Sequence, residues 1–168
     1  MTDAAALDSA FTGLSPLDRL KALRAGVTGR IVFTTSFGLE DQVITDLIFA
    51  NDLDIEIVTL DTGRLFPETY KVWSDTELKY GKRIRAYYPD TAAVEALISD
   101  QGIDGFYFGV DMRKACCGVR KVEPLKRALS GASAWVTGLR ADQSANRSAT
   151  AFVAVDPGFS VLKASPLA

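Results

Sequence analysis

Apolar residues along this chain recur in two ways, at helical spacing and in short unbroken runs, and the two alternate. Leu14, Leu17, Leu20 and Leu23 are spaced as the inner face of an amphipathic helix, started by Ser15 and Pro16 and stopped by Gly26. RIVFTT (30–35) is short, apolar and β-branched, as a buried strand is. It leads into SFGLEDQVITDLIFAND, where Val43, Ile44, Leu47 and Ile48 return to helical spacing. IEIVTL (55–60) predicts a second buried strand, followed by a helix opened by Pro67 with Tyr70, Trp73 and Leu78 on its inner face. RIRAYY (83–88), TAAVEALISDQG (91–102) and SAWVTGLR (133–140) continue the alternation. VRKVEPLKRALSG predicts a helix with Val122, Leu125 and Leu129 inward, Gly131 as its stop and Pro124 in its first turn or at a kink. AFVAVD and FSVLKASP predict an antiparallel hairpin at the sheet edge, joined at Pro157 and Gly158.

Strand and helix in alternation predict the α/β class, a mostly parallel sheet flanked by helices, in a single domain over residues 1–168. Ligands of such sheets sit at the C-terminal ends of the strands. A chain of 168 residues can bury roughly 70% of its unfolded surface and needs no disulfide to do so. Nineteen Lys and Arg against 21 acids, a formal charge of -2, offer no global argument for nucleic acid or an anionic membrane as partner. No basic segment precedes an apolar one near the start, and no apolar run approaches the ~20 residues that cross a bilayer. A soluble, cytoplasmic protein is the expectation. The chain has no histidine, which removes Ser-His and Cys-His nucleophile pairs, imidazole bases and His-rich zinc sites.

Three turns at predicted strand ends carry candidate chemistry. TTSFGLEDQ places Thr34, Thr35, Ser36 and Gly38 between a strand and a helix N-terminus, where backbone N–H groups favour a phosphate or sulfate; ordinary capping is the competing reading. The stretch lacks the glycine and lysine pattern of a Walker loop. In TLDTGRLFPETY, Asp61 could accept from a ribose hydroxyl or an adenine amine, although Asp61, Thr62 and Gly63 forming a tight turn beside a solvated Arg64 is the better local reading. GLRADQSANRS supplies Gly138, Arg140 and Arg147, and paired guanidiniums suit a bidentate grip on sulfate or phosphate.

Cys116 and Cys117 are the only cysteines, and RKACCGVRKVEPLKRAL surrounds them with six Lys or Arg. Nearby cations such as Lys114, Arg120 and Lys121 favour thiolates. A buried hydrophobe, a vicinal disulfide, a nucleophile and half of a metal site remain open; adjacent Cα atoms ~3.8 Å apart are too close for an unstrained bridge. An iron–sulfur cluster takes four thiolates and this chain has two.

TTSFGLEDQ, LDTGRLFPETY, CCGVRKVEPLKRAL and GLRADQSANRS, in this order over residues 30 to 150, resemble the sulfonucleotide reductases of assimilatory sulfate reduction. The resemblance implies a modified PP-loop fold, like that of the adenine nucleotide α-hydrolases, and reduction of adenylyl sulfate (APS) or its 3'-phosphorylated form (PAPS) to sulfite. It implies Ser36, Phe37 and Gly38 as the PP-loop turn, Leu60, Asp61 and Gly63 on the adenosine side, and Lys121, Arg140 and Arg147, with Gly138 in their loop, at the sulfate or phosphate. Cys116 and Cys117 resemble the first half of the cysteine set that holds a [4Fe-4S] cluster in the APS-type enzymes, which favours APS. A nucleophilic cysteine on a C-terminal tail and a thioredoxin or glutaredoxin-like reductant are also implied. That cysteine is not among these residues. The resemblance therefore implies a nucleotide-binding portion of a longer enzyme, inactive by itself, with a PAPS reductase, a sulfurylase subunit with a similar loop or a silent adenine-nucleotide-binding module as the alternatives. Order of assembly, including a homo-oligomer, is left open.

Overall fold

The computed structural model describes residues 3–140 and 151–168 of the chain. Its spine is a six-stranded sheet made of β1 (Arg30–Thr35), β2 (Glu56–Leu60), β3 (Arg85–Tyr87), β4 (Ala132–Val136), β5 (Val153–Asp156) and β6 (Val161–Ala164), in the order β3-β2-β1-β4-β6-β5. All neighbours run parallel except β5 and β6, which form the expected antiparallel edge hairpin. β2 and β3 extend the sheet to one side of β1, and β4 returns to its other side. This reversal of strand order leaves a crevice at the C-terminal ends of β1 and β4.

Helices α1 (Ala4–Phe11), α2 (Pro16–Gly26), α3 (Leu39–Ala50), α4 (Pro67–Tyr80), α5 (Thr91–Gln101), α6 (Val110–Cys117) and α7 (Glu123–Leu129) surround the sheet. Side-chain alternation along β1 decides what each face receives. Ile31 and Phe33 point into a core with Phe11, Leu20, Leu23, Ile44 and Ile48, while Val32 points to the opposite face with Val58, Tyr87, Ala128 and Leu129. Ser15 caps α2 by accepting from the Asp18 N–H, as its position before Pro16 predicts.

Several local expectations fail for identifiable reasons. Leu78 is 77% exposed and Val122 is 42% exposed, although both fit an inward stripe. Tyr70 is 40% exposed, and among the three residues expected inside α4 only Trp73 packs against the core. Buried Thr76, whose hydroxyl accepts from the Gln42 side chain, holds the position that periodicity assigns to an apolar residue. α1 and α6 were not legible as helices. α1 depends on an Asp3 cap and on burying Leu7 and Phe11 against distant residues. α6 runs into a five-residue π turn, Gly118–Val122, and then into α7. Pro124 has no N–H to return to the carbonyl of Arg120, and the wide turn spans that gap, so Pro124 is both a first-turn residue and the cause of an irregularity. Among the described residues no helix is long and apolar enough to cross a membrane.

Candidate active site

Three clefts line the C-terminal rim of the sheet and run into one another. One of about 430 Å³ lies between the ends of β1 and β4, with Ser36, Asp41, Thr137, Gly138 and Lys163 in its walls. The next, about 290 Å³, shares Ser36 and Asp41 and adds Phe37, Leu60, Thr62 and Lys121. The third, about 270 Å³, shares Thr62 and Lys121 and reaches Arg64, Arg120, Cys116 and Cys117. A larger hollow of about 460 Å³, by Val27, Ala132 and Val161, lies at the opposite ends of the strands and is lined by no charged side chain.

The β1 turn is less open to an anion than its sequence suggests. Ser36 gives both its N–H and its hydroxyl to one oxygen of Asp41, at 2.6 and 2.7 Å, and the Phe37 N–H goes to Thr35 Oγ1 at 3.0 Å. Asp41 stands in the first turn of α3 and is only 8% exposed. Its other oxygen lies where a β-carbon on residue 138 would come within 2.1 Å, so glycine there lets the β4 loop close over the carboxylate. Burial pushes the Asp41 carboxyl up, the two hydrogen bonds from Ser36 partly oppose this, and neighbouring Glu40 adds to the rise. Sequence reading passed over Asp41; an acid five residues after Ser36, in the first helical turn, is the signal that could have found it.

That direction fixes a pH dependence. A carboxyl raised in the fold contributes stability that is fully present below its unfolded value and is lost as pH rises through the folded value. Wild-type protein is therefore expected to lose stability relative to Asp41→Asn as pH rises through the acidic range, read from denaturant midpoints. Parallel curves for the two proteins would contradict this.

The β2 turn takes the form favoured on local grounds. Asp61 Oδ1 accepts from the Gly63 N–H at 2.9 Å, Gly63 sits at φ +68°, and the Tyr70 hydroxyl donates to the Asp61 carboxylate at 2.9 Å. Asp61 is 5% exposed and lies behind the cleft wall formed by Leu60 and Thr62. Loss of solvent, and then the Asp61 carboxylate, raise the Tyr70 phenol. Arg64 is paired instead of free, with Asp104 at 2.7 Å and the Phe106 ring under its guanidinium.

Arg120, in the π turn, is 7% exposed and donates to the Thr62 carbonyl at 2.6 Å, tying the cysteine segment to the β2 turn. Lys121 beside it is exposed and faces the two clefts that meet there. Arg140 reaches Glu40 at 3.4 Å, at the far end of the groove from the cysteines. Arg147 lies outside the described residues. The rim thus brings together Ser36, Phe37, Gly38, Leu60, Lys121 and Gly138, with Asp61 and Gly63 supporting it from behind.

Cys116 and Cys117 are free thiols, half-buried, in the last turn of α6. Among the described residues no three His, Cys, Asp or Glu side chains converge as a metal site. The pair supplies two of the four thiolates that a [4Fe-4S] cluster needs and does not make up a complete ligand set.

Residues 30–168 match the family described as Phosphoadenosine phosphosulfate reductase domain. The chain is 51% identical over 166 residues to an Adenosine 5'-phosphosulfate reductase of Sinorhizobium fredii, covering 99% of this chain and 66% of that protein. It is 51% identical over 138 residues to a protein of the same name from Allochromatium vinosum, covering 82% of this chain and 54% of the other. The chain thus spans less than two thirds of these curated relatives. Among solved structures, a phosphoadenylyl-sulfate (PAPS) reductase from Candida auris, in a phosphate complex, aligns with a TM-score of 0.81 at 24% identity, covering 98% of this chain and 77% of that one. This likeness establishes the shared fold.

Proposed function

Because the chain belongs to the phosphoadenosine phosphosulfate reductase domain family, we propose that it binds adenylyl sulfate across the strand ends and serves its thiol-dependent reduction to sulfite and AMP. The observation that carries this reading is the continuous groove from Gly138 past Ser36 and Lys121 to the cysteine pair, walled by apolar residues such as Phe37 and Leu60 that suit a base and by the cations Lys121, Arg64 and Arg120 that suit its anionic end. Lys121 is the residue that can meet the sulfate or phosphate as a point charge. Ser36, Phe37 and Gly38 form the turn facing it, Leu60 and Thr62 wall the adenosine side with Asp61 and Gly63 fixing their turn, Arg140 follows β4, and Arg147, outside the described residues, is assigned to the anion on the family resemblance alone.

The chemistry takes place in two steps. A cysteine thiolate attacks the sulfate sulfur, the S–O bond to the nucleotide breaks, and AMP leaves with the electron pair, giving an S-sulfocysteine. A second thiol then attacks the sulfenyl sulfur, releasing sulfite and forming a disulfide, which a thioredoxin or glutaredoxin-like donor reduces. In this reading the attacking cysteine and the donor lie outside these 168 residues, which form one sulfonucleotide-binding domain. Cys116 and Cys117 furnish two ligands of a [4Fe-4S] cluster whose other two come from elsewhere. The relatives' name, Adenosine 5'-phosphosulfate reductase, and the cysteine pair favour APS over PAPS.

Calorimetric titration of the chain with adenylyl sulfate tests the proposal. Wild-type protein should bind, and Lys121→Ala should weaken binding by about tenfold, the scale of one charge-assisted contact. Wild-type protein that binds no adenylyl sulfate would overturn the proposal, and an unchanged affinity in the variant would remove Lys121 from it.

A further inference from the structure

α4 carries two aromatic side chains one turn apart, and each is fastened to a different wall of the central cleft. Trp73 stacks on Phe37, with ring centroids 5.6 Å apart and planes 21° from parallel. Tyr70 lies 6.5 Å from Trp73 at 19°, and its hydroxyl donates to Asp61. Phe37 belongs to the β1 turn and Asp61 to the β2 turn. Neither Tyr70 nor Trp73 lines the cleft itself.

Both attachments fall where the backbone or a charge needs holding. Phe37 has φ +62°, a conformation that a bulky side chain adopts only when its surroundings impose it. Its ring is 7% exposed, and the Trp73 face is its stacking partner. Asp61 is a buried carboxylate whose hydrogen bonds, among the described residues, come from Tyr70 and the Gly63 N–H and from no cation. Without the Tyr70 hydroxyl it would keep, among the described residues, the Gly63 N–H alone as donor to its carboxylate, and the turn that presents Thr62 to Arg120 and the cleft would lose an anchor.

We infer that Tyr70 and Trp73 are positioning residues that set nucleotide affinity, by holding the β1 and β2 turns at a fixed separation through Phe37 and Asp61. This rests on the reading of the cleft as a sulfonucleotide site. The rigid bridge spares the ligand the ordering of both turns on binding.

The test is calorimetric titration of the folded chain with adenylyl sulfate, each variant's melting temperature being measured in the same buffer. Tyr70→Phe should weaken binding about fivefold, since only part of the worth of one hydrogen bond to a charged group is passed on to the ligand. Trp73→Leu should weaken it similarly, and Trp73→Phe, which restores a stacking face, should recover most of the loss. Because Tyr70 acts through Asp61, Tyr70→Phe should add nothing in an Asp61→Ala background, where the acceptor is gone. Wild-type affinity in Tyr70→Phe, or a full additional loss in the double variant, would overturn the inference while leaving the site reading intact. Wild-type protein that binds no adenylyl sulfate would overturn both.

Discussion

Replacing Gly138 with alanine is expected to lower stability by about 3 kcal/mol, within the range for forcing a methyl group into an occupied site. The new β-carbon would lie 2.1 Å from Asp41 Oδ1. Asp41 cannot swing aside cheaply, because its other oxygen accepts both the Ser36 N–H and the Ser36 hydroxyl. The strain must release through that pair or through the β4 loop. In a domain of this size the thermal midpoint should fall by on the order of 10 °C. Shortening the obstruction gives the check: Gly138→Ala combined with Asp41→Ala should be more stable than the sum of the two single changes predicts, since each then relieves the other. Strict additivity would mean that the loop accommodates alanine by another route.

Arg120→Ala is expected to cost a comparable amount, about 3 kcal/mol. Arg120 is 7% exposed, lies in the π turn, and donates from Nη1 to the Thr62 carbonyl. Leaving a buried acceptor unpaired costs about 1–3 kcal/mol, and lost packing of the stem adds to it. Arg120→Met keeps most of the stem and removes the donor, so it should fall between wild type and alanine in urea midpoint. Because the same bond ties the cysteine segment to the β2 turn, both variants should also weaken adenylyl sulfate binding. A methionine variant with wild-type midpoint and affinity would show that the bond to Thr62 carries neither.

Much of the rim was readable because the residue types that make turns at strand ends are few. Ser36 and Gly38 after RIVFTT, and Asp61 and Gly63 after IEIVTL, stand where the structure has its turns. What the residue types did not convey was which polar groups would be used up internally. The Asp61–Gly63 turn was legible because it is local, but Ser36 donates to Asp41 in the next helix, Tyr70 reaches Asp61 from nine residues away and Arg64 belongs to Asp104, 40 residues on. Tyr70 illustrates the limit well. Spacing places it on the apolar face of α4, yet its hydroxyl needs a partner, and the nearest acceptor is a buried carboxylate that the neighbouring strand brings to it.

Sequence alone determined the alternation of strand and helix, the edge hairpin and the family of the chain, because these depend on periodicity and on short motifs whose residues are neighbours along the backbone. Only the tertiary structure decided which loops share a cleft and which charges face it, that Gly138 closes against Asp41, and that Arg120 lies inside while Lys121 lies outside. The reason is physical: one residue of register in a helix or π turn moves a side chain by about 100° around the axis, so adjacent cations end in opposite environments, and only packing against a distant strand selects which is buried.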